Sequence, residues 1–152
     1  MLPSAQQWLN AHRLLREEVE GERIVQWCEA GALVGGFSLS LRARPDEVLA
    51  PLVDVMFGPN VVRVLDVSTG LPQRMEVALP RGMAKWKLAD VRGLIDVLNK
   101  EAKKIPDARV GLVLGEWENM LQVWCVTQDQ AAELLDWAWC TIENRDSLER
   151  WL

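Results

Sequence analysis

Three cysteines and a single histidine are the residues of this sequence best suited to nucleophilic catalysis. A cysteine nucleophile reacts as a thiolate, and in cysteine enzymes a nearby histidine accepts the thiol proton. Cys28, Cys125 and Cys140 each lie in an apolar segment, whereas His12 lies on the polar side of a predicted helix. These positions are typical of buried thiols and a solvated histidine, so we expect no catalytic residue. An enzyme that uses Cys28 or Cys125 with distant carboxylates is kept as a minor alternative.

Motifs that hold a cofactor or a metal ion are missing from the sequence. It contains no Walker loop, no dinucleotide-binding glycine motif, no nucleophile elbow and no Cys-x-x-C pair. These motifs place backbone amides or thiolates around a phosphate or a metal. We therefore predict no cofactor and no metal site.

The segment 81–87 interleaves basic side chains with a tryptophan. Such interleaving is typical of single-stranded nucleic-acid sites, where cations attract the backbone and a ring stacks on a base. The chain as a whole has a net charge of −5, and residues 105–152 carry three basic against nine acidic side chains, so no extended basic face is expected. Nucleic-acid binding is therefore a second hypothesis, and we expect 81–87 to be a loop. Its candidate residues are Arg74, Arg81, Lys85, Trp86 and Lys87.

The elements that must position these residues follow from hydrophobic periodicity. Apolar residues recur at helical intervals in four segments, which begin near residues 5, 45, 88 and 128. Alternating apolar and polar residues predict three hairpins, at 24–41, 61–79 and 109–126. The predicted order is αββ-αββ-αββ-α, an α+β fold in which antiparallel hairpins form a sheet packed by helices. One domain spans residues 1–152.

Composition and the N-terminal residues bear on where the protein works. The chain has 152 residues, of which 49% are hydrophobic and 26% charged, as in an ordinary globular domain. It lacks the pattern of a signal peptide and any apolar run of about 18 residues, the minimum for a membrane helix. We expect a cytoplasmic protein that does not contact the membrane, and an odd number of cysteines agrees with a reducing compartment.

Eight tryptophans, five of them after residue 116, are the least ordinary feature of the composition. If the last helix continues through residues 144–147, several apolar residues form a second face that a monomer has little reason to expose. Because tryptophan is enriched in protein interfaces, we expect this face to bind a partner. The alternative is that the sheet is covered on both sides and every tryptophan lies in the core. The predicted contact residues are Trp124, Trp137, Leu148 and Trp151.

The predicted elements of 45–152 follow the order α-β-β-α-β-β-α. The middle helix contains Leu94-Ile95-Asp96-Val97-Leu98-Asn99, and a long acidic helix follows Val123-Trp124-Cys125-Val126-Thr127. This pattern resembles the type III secretion chaperone-like fold. The resemblance implies a small acidic homodimer that binds a segment of a partner protein through apolar grooves on its sheet and helices. The helix-hairpin-helix opening at 5–56 is similar, in the same way, to roadblock-type regulatory domains.

The absence of catalytic motifs and the second apolar face together favour one function. We expect a non-enzymatic protein-binding module, acting as a chaperone, adaptor or inhibitor. The same observations lead us to expect a homodimer.

Overall fold

The structure is a computed structural model and describes residues 36–117, 119–135 and 142–151. Helices and antiparallel sheets both contribute, so the chain has the predicted α+β fold. Several predictions lie outside the described residues: the helix at 5–19, the strand at 24–28, and the candidate residues His12, Cys28, Trp137 and Cys140.

The described residues contain six strands and four helices. In chain order these are β1 (Gly36–Ser40), α1 (Pro45–Phe57), β2 (Arg63–Val67), β3 (Gln73–Leu79), β4 (Gly82–Leu88), α2 (Val91–Lys104), β5 (Arg109–Trp117), β6 (Met120–Thr127), α3 (Gln128–Leu135) and α4 (Arg145–Trp151). The strands form two antiparallel sheets rather than one. Sheet A has the order β1-β6-β5, and sheet B has the order β2-β3-β4.

Strand β4 shows that the prediction of a loop at 81–87 is wrong. Pro80 and Arg81 form a tight turn, and Gly82 takes a φ of +131°, which glycine adopts without a steric penalty. Leu79 pairs with Gly82 across this turn, and β3 and β4 then pair along their full length. The order of the described elements from α1 onward is therefore α-β-β-β-α-β-β-α-α, with one more strand before the middle helix than predicted.

Helix α2 is the central helix of the fold, as its apolar spacing predicts. Asp90 caps it, because the Asp90 carboxylate accepts a hydrogen bond from the Gly93 amide at 2.9 Å. Its apolar stripe recurs every three or four residues and is buried throughout: Val91, Leu94, Ile95, Leu98 and Ala102. The helix contacts both β4 and β5, so it joins sheet B to sheet A.

The outer edge of β5 is covered by two asparagine side chains. The Asn99 amide of α2 donates to the Gly111 carbonyl at 3.0 Å and accepts from the Gly111 amide at 2.7 Å. Farther along the edge, the Val113 amide donates to Asn144 Oδ1 at 3.0 Å, and the Val113 carbonyl accepts from the Glu143 amide at 2.7 Å. These groups replace a neighbouring strand, so β5 presents no open edge at Gly111 and Val113.

The condition that the last helix continues through residues 144–147 is met only in part. Residues 143 and 144 form a turn, and helix α4 begins at Arg145. Glu143 and Asn144 bond to β5 instead of continuing a helix. Long-range pairing to the sheet has thus replaced the local hydrogen bonds that a helix would make here.

Candidate functional site

Two of the four predicted contact residues are buried in the core. Trp124 is 2% exposed and Leu148 is 0% exposed, so the prediction that they face a partner is wrong. Trp151 is the last residue of α4, and its side chain lies outside what the structure describes, as does all of Trp137. The described residues therefore do not form the predicted C-terminal contact surface.

Trp124 is buried because both faces of β6 are covered. It lies opposite Leu112 of β5, whereas Val123 lies opposite Val113 on the other face of the sheet. All four residues are buried, as the core alternative predicts for this strand. Leu148 belongs to α4, which contacts α2, so its side chain is covered by the central helix region.

Cys125 has the environment of an inert thiol. It is a free cysteine on β6 and is completely buried. Desolvation raises the pKa of Cys125 to about 12, although the nearby positive charge of Arg109 opposes this shift. A thiol with this pKa is protonated at neutral pH, so Cys125 does not fit the role of a nucleophile.

The residues predicted to bind nucleic acid are divided between the two faces of sheet B. Trp86 lies opposite Met75 on the inner face and is 9% exposed, so it has no free ring face for stacking. Arg81 lies in the β3–β4 turn, where its guanidinium donates to the Lys104 carbonyl at 3.2 Å. Of the five predicted residues, the structure brings together on the outer face only Arg74, Lys85 and Lys87.

The outer face of sheet B consists of three rows of side chains that cross the strands. Residues paired across neighbouring strands share a face, so the pairing register defines the rows. The cationic row is Arg74 and Lys87; the mixed row is Asp66, Glu76 and Lys85; the apolar row is Ala78 and Met83, with Arg63 at its β2 end. Most of these side chains are exposed, and only Glu76 and Ala78 are half-buried.

A shallow groove of about 240 Å³ follows the cationic and mixed rows. The residues that line it are Asp66, Arg74, Met75, Glu76, Lys85, Trp86 and Lys87. Among the described residues, no carboxylate comes within 4 Å of the three cations of this groove. Within the described part of the chain, the three cations therefore have no ion-pair partner and are available to bind a ligand.

Exposed apolar side chains are also concentrated in sheet B. Among the described residues, the large apolar side chains with the greatest exposure are Val64 and Leu65 of β2, Leu71 of the following loop, and Met83 of β4, which is 63% exposed. The other large apolar side chains whose exposure the structure describes are buried or half-buried. An apolar surface beside a charged groove is a common arrangement at protein interfaces.

One edge of β2 pairs with no other described strand, and it is poorly suited to pairing with another chain. The β2–β3 register shifts between Val64 and Asp66, which marks a bulge. The Val67 amide donates to Asp66 Oδ1 at 3.0 Å, so it is not available to a neighbouring chain. Bulges and edge charges both discourage edge-to-edge association, so a partner is expected on the face of sheet B rather than on this edge.

A second, larger cleft of about 550 Å³ lies between the end of α2 and the start of α3. Its lysines are engaged within the protein: Lys104 lies 3.5 Å from Glu101, and Lys103 donates to the Arg150 carbonyl at 3.4 Å. The capping box of α3 is also closed, because Thr127 and Gln130 bond to each other's backbone amides. The charges of this cleft are therefore compensated more fully than those of the groove on sheet B.

The ion pairs of Arg92 hold the N-terminal end of α2 to two other segments. Its guanidinium bonds to Glu116 and Glu143, each at 2.5 Å. Burial lowers the pKa of Arg92, but hydrogen bonds and attraction to these two carboxylates outweigh it, so the pKa is raised overall. This cluster is satisfied internally and supports the fold rather than a ligand.

Two further searches of the described residues give negative results. They contain no group of three or more His, Cys, Asp or Glu side chains placed to hold a metal ion. None of their helices combines the length and the apolar character that a membrane span requires. Compared with known proteins, the chain matches no family model, no curated protein and no solved structure.

Met83 and the pairing of Arg74 with Lys87 are the features of this face that the sequence reading missed. The alternation of Met83, Lys85 and Lys87 with Ala84, Trp86 and Leu88 is the two-residue period of a strand with one buried face. That period was the signal from which the exposed face could have been found.

Proposed function

We propose that this protein is a non-enzymatic protein-binding module whose contact surface is the outer face of sheet B. The observation that carries the proposal is the side chain of Met83, which lies on this face, is 63% exposed and adjoins an open groove. Exposed Leu65, in the bulge of β2, and Leu71, in the following loop, add apolar surface to the same sheet. Met83 suits such a surface because the flexible, polarizable methionine side chain adapts to different partners.

The resemblance to the type III secretion chaperone-like fold is a second support. The resemblance implies binding of a partner segment through apolar grooves on the sheet and helices. The groove on sheet B is lined largely by charged residues, and the apolar contact that we propose beside it is Met83. The free thiol of Cys125 agrees with the cytoplasmic location that we propose.

A photo-crosslinking experiment tests the proposal. A benzophenone amino acid replaces Met83 in the full chain, and a matched control places it at Lys100, an exposed residue of α2. Crosslinked products from the native cytoplasm are identified by mass spectrometry and compared with those obtained when Leu65→Ser is added. We expect one discrete protein adduct from position 83 that is absent from position 100 and weakened by Leu65→Ser. The same adducts from both positions, or none from position 83, would contradict the proposal.

Self-association is part of the same proposal and has its own measurement. Because the β2 edge is blunted, a homodimer is expected to use the outer face of sheet B. Light scattering coupled to size exclusion should then report a dimer for the wild type and a shift toward monomer for Met83→Ser. A wild-type monomer at every concentration would remove the homodimer and leave the binding of a different protein as the proposal.

A further inference from the structure

The cationic row places two positive charges directly opposite each other. Arg74 and Lys87 are register partners in the β3–β4 ladder, so their Cβ atoms lie about 5 Å apart. Both side chains are exposed, and no described carboxylate lies within 4 Å of either. Like charges at such a position destabilise a sheet, and no described carboxylate forms an ion pair that would offset them.

The position of Arg74 is fixed by its backbone. Its amide donates to Ser68 Oγ at 2.8 Å, and its carbonyl accepts from the Ser68 amide at 2.9 Å. Lys87 lies between the core residues Trp86 and Leu88, which anchor its strand. The two cations therefore extend from rigid backbone, which lowers the conformational cost of binding an anion.

The sign of the charge alternates along the groove. The cationic row is followed by a mixed row, in which Asp66 and Glu76 outnumber Lys85, and then by the row of Met83. A nucleic-acid strand carries a negative charge on every nucleotide, so its phosphates would meet the acidic residues of the mixed row. A peptide can instead present a carboxylate, a cation and an apolar side chain in sequence.

We infer that the Arg74–Lys87 pair binds the carboxylate of an acidic residue in an extended segment of a partner protein, and that an apolar side chain of the same segment contacts Met83. The inference rests on the proposed function and names its partner chemistry. Lys87 and Met83 are four residues apart on one strand, which corresponds to roughly 13 Å. In an extended segment, two residues four positions apart span this distance, so the acidic and the apolar residue should have that spacing. A basic residue midway between them would then face Asp66 and Glu76.

Fluorescence anisotropy of labelled synthetic peptides tests this assignment. One peptide has the core Glu-Thr-Lys-Thr-Leu, a second has the reversed core, and matched peptides carry Gln in place of Glu. Each is titrated with the full chain at low ionic strength. We expect one direction to bind, and its Gln counterpart to bind more weakly.

The variants locate the carboxylate. Arg74→Gln and Lys87→Gln should each weaken binding about three- to fivefold, the range for one exposed ion pair. The control Lys103→Gln removes an exposed cation from α2 and should change binding by less than about twofold. In the double variant Arg74→Gln/Lys87→Gln, the Glu and Gln peptides should both still bind, with the same weakened affinity, whereas a loss of folding would abolish the binding of both.

Three results would overturn the inference. The first is equal binding of the Glu and Gln peptides to the wild type, and the second is that neither peptide binds. The third is that an oligodeoxythymidine binds more tightly than the peptides through the same two cations. The last result would assign the face to nucleic acid. A discrete protein adduct at position 83 together with any of these results leaves the protein-binding function in place and removes only the acidic partner segment.

Discussion

Asn99 is the residue whose replacement most directly tests the account of the β5 edge. Its amide is completely buried and makes two hydrogen bonds to Gly111, at 3.0 Å and 2.7 Å. In Asn99→Ala, the Gly111 carbonyl keeps a second donor, the Asn144 amide at 2.9 Å. The Gly111 amide loses the one partner that the described residues give it.

The expected loss of stability follows from this difference between the Gly111 amide, which loses its partner, and the Gly111 carbonyl, which keeps one. A buried donor without a partner costs about 1–3 kcal/mol, and the hydrogen bond to the carbonyl contributes about 1 kcal/mol. We therefore expect Asn99→Ala to lower the free energy of unfolding by about 2–4 kcal/mol. For a domain of this size, that corresponds to a fall in Tm of roughly 4–16 °C.

A pH series separates the hydrogen bonds from simple packing. In Asn99→Asp, burial raises the pKa of the introduced carboxyl above its unfolded value of about 3.9. A raised folded pKa means that stability is present below the unfolded pKa and is lost as pH rises. The protonated acid can still donate to the Gly111 carbonyl. Asn99→Asp should therefore approach wild-type stability near pH 3, relative to the wild type at that pH, and fall below it at neutral pH.

Urea unfolding followed by circular dichroism measures these changes, with Asn144→Ala as the matched control. Asn144 also makes two hydrogen bonds, to the Val113 amide at 3.0 Å and to the Gly111 carbonyl at 2.9 Å, but it is only half-buried. Water can reach the groups that its removal exposes, so its loss should cost less, about 1–2 kcal/mol. An unchanged slope against urea would show that the variants unfold from the same compact state. Equal losses for Asn99→Ala and Asn144→Ala, or a pH-independent Asn99→Asp, would refute the reasoning.

Three further predictions concern the core and the cationic row. Lys87→Gln removes a charge opposite Arg74, so at low salt it should raise the free energy of unfolding by a few tenths of a kcal/mol and Tm with it. Lys85→Gln should not raise either quantity. Tm shifts of the same sign and size for the two variants would contradict this prediction. Burial raises the pKa of Cys125 to about 12, so its contribution to stability should be lost as pH rises from about 9 toward 12, and alkaline urea titrations of Cys125→Ala should lack that loss. Trp124→Ala should lower the free energy of unfolding by about 3–5 kcal/mol, as for a core aromatic residue, measured by chemical unfolding. A loss below about 1 kcal/mol would show that Trp124 is not a core residue.

Local periodicity was enough to predict the central helix. Leu94, Ile95 and Leu98 recur at intervals of one helical turn, and all are buried as expected. The strands β3, β5 and β6 were predicted for the same kind of reason, because their buried residues follow either alternation or an apolar run. These elements are those in which one local pattern decides the structure.

The errors arise where distant pairing overrides the local pattern. The basic residues of 81–87 are uncommon in strands, but pairing with β3 holds them in one. Residues 143 and 144 fit a helical pattern, but hydrogen bonds to β5 take them out of it. The exposed face on sheet B could not be found without β4, so the candidate site moved from the C-terminal third to the middle of the chain.

The two asparagines that cover β5 also set an order of events during synthesis. Asn99 precedes Gly111 by 12 residues, so it has already been made when β5 emerges from the ribosome. Asn144 follows Val113 by 31 residues, which take about 2–6 s to translate at typical rates. During that interval the edge at Val113 lacks its cover. The nascent chain is therefore most exposed to strand-mediated misassembly in this short period, and cellular chaperones would be needed most at that stage.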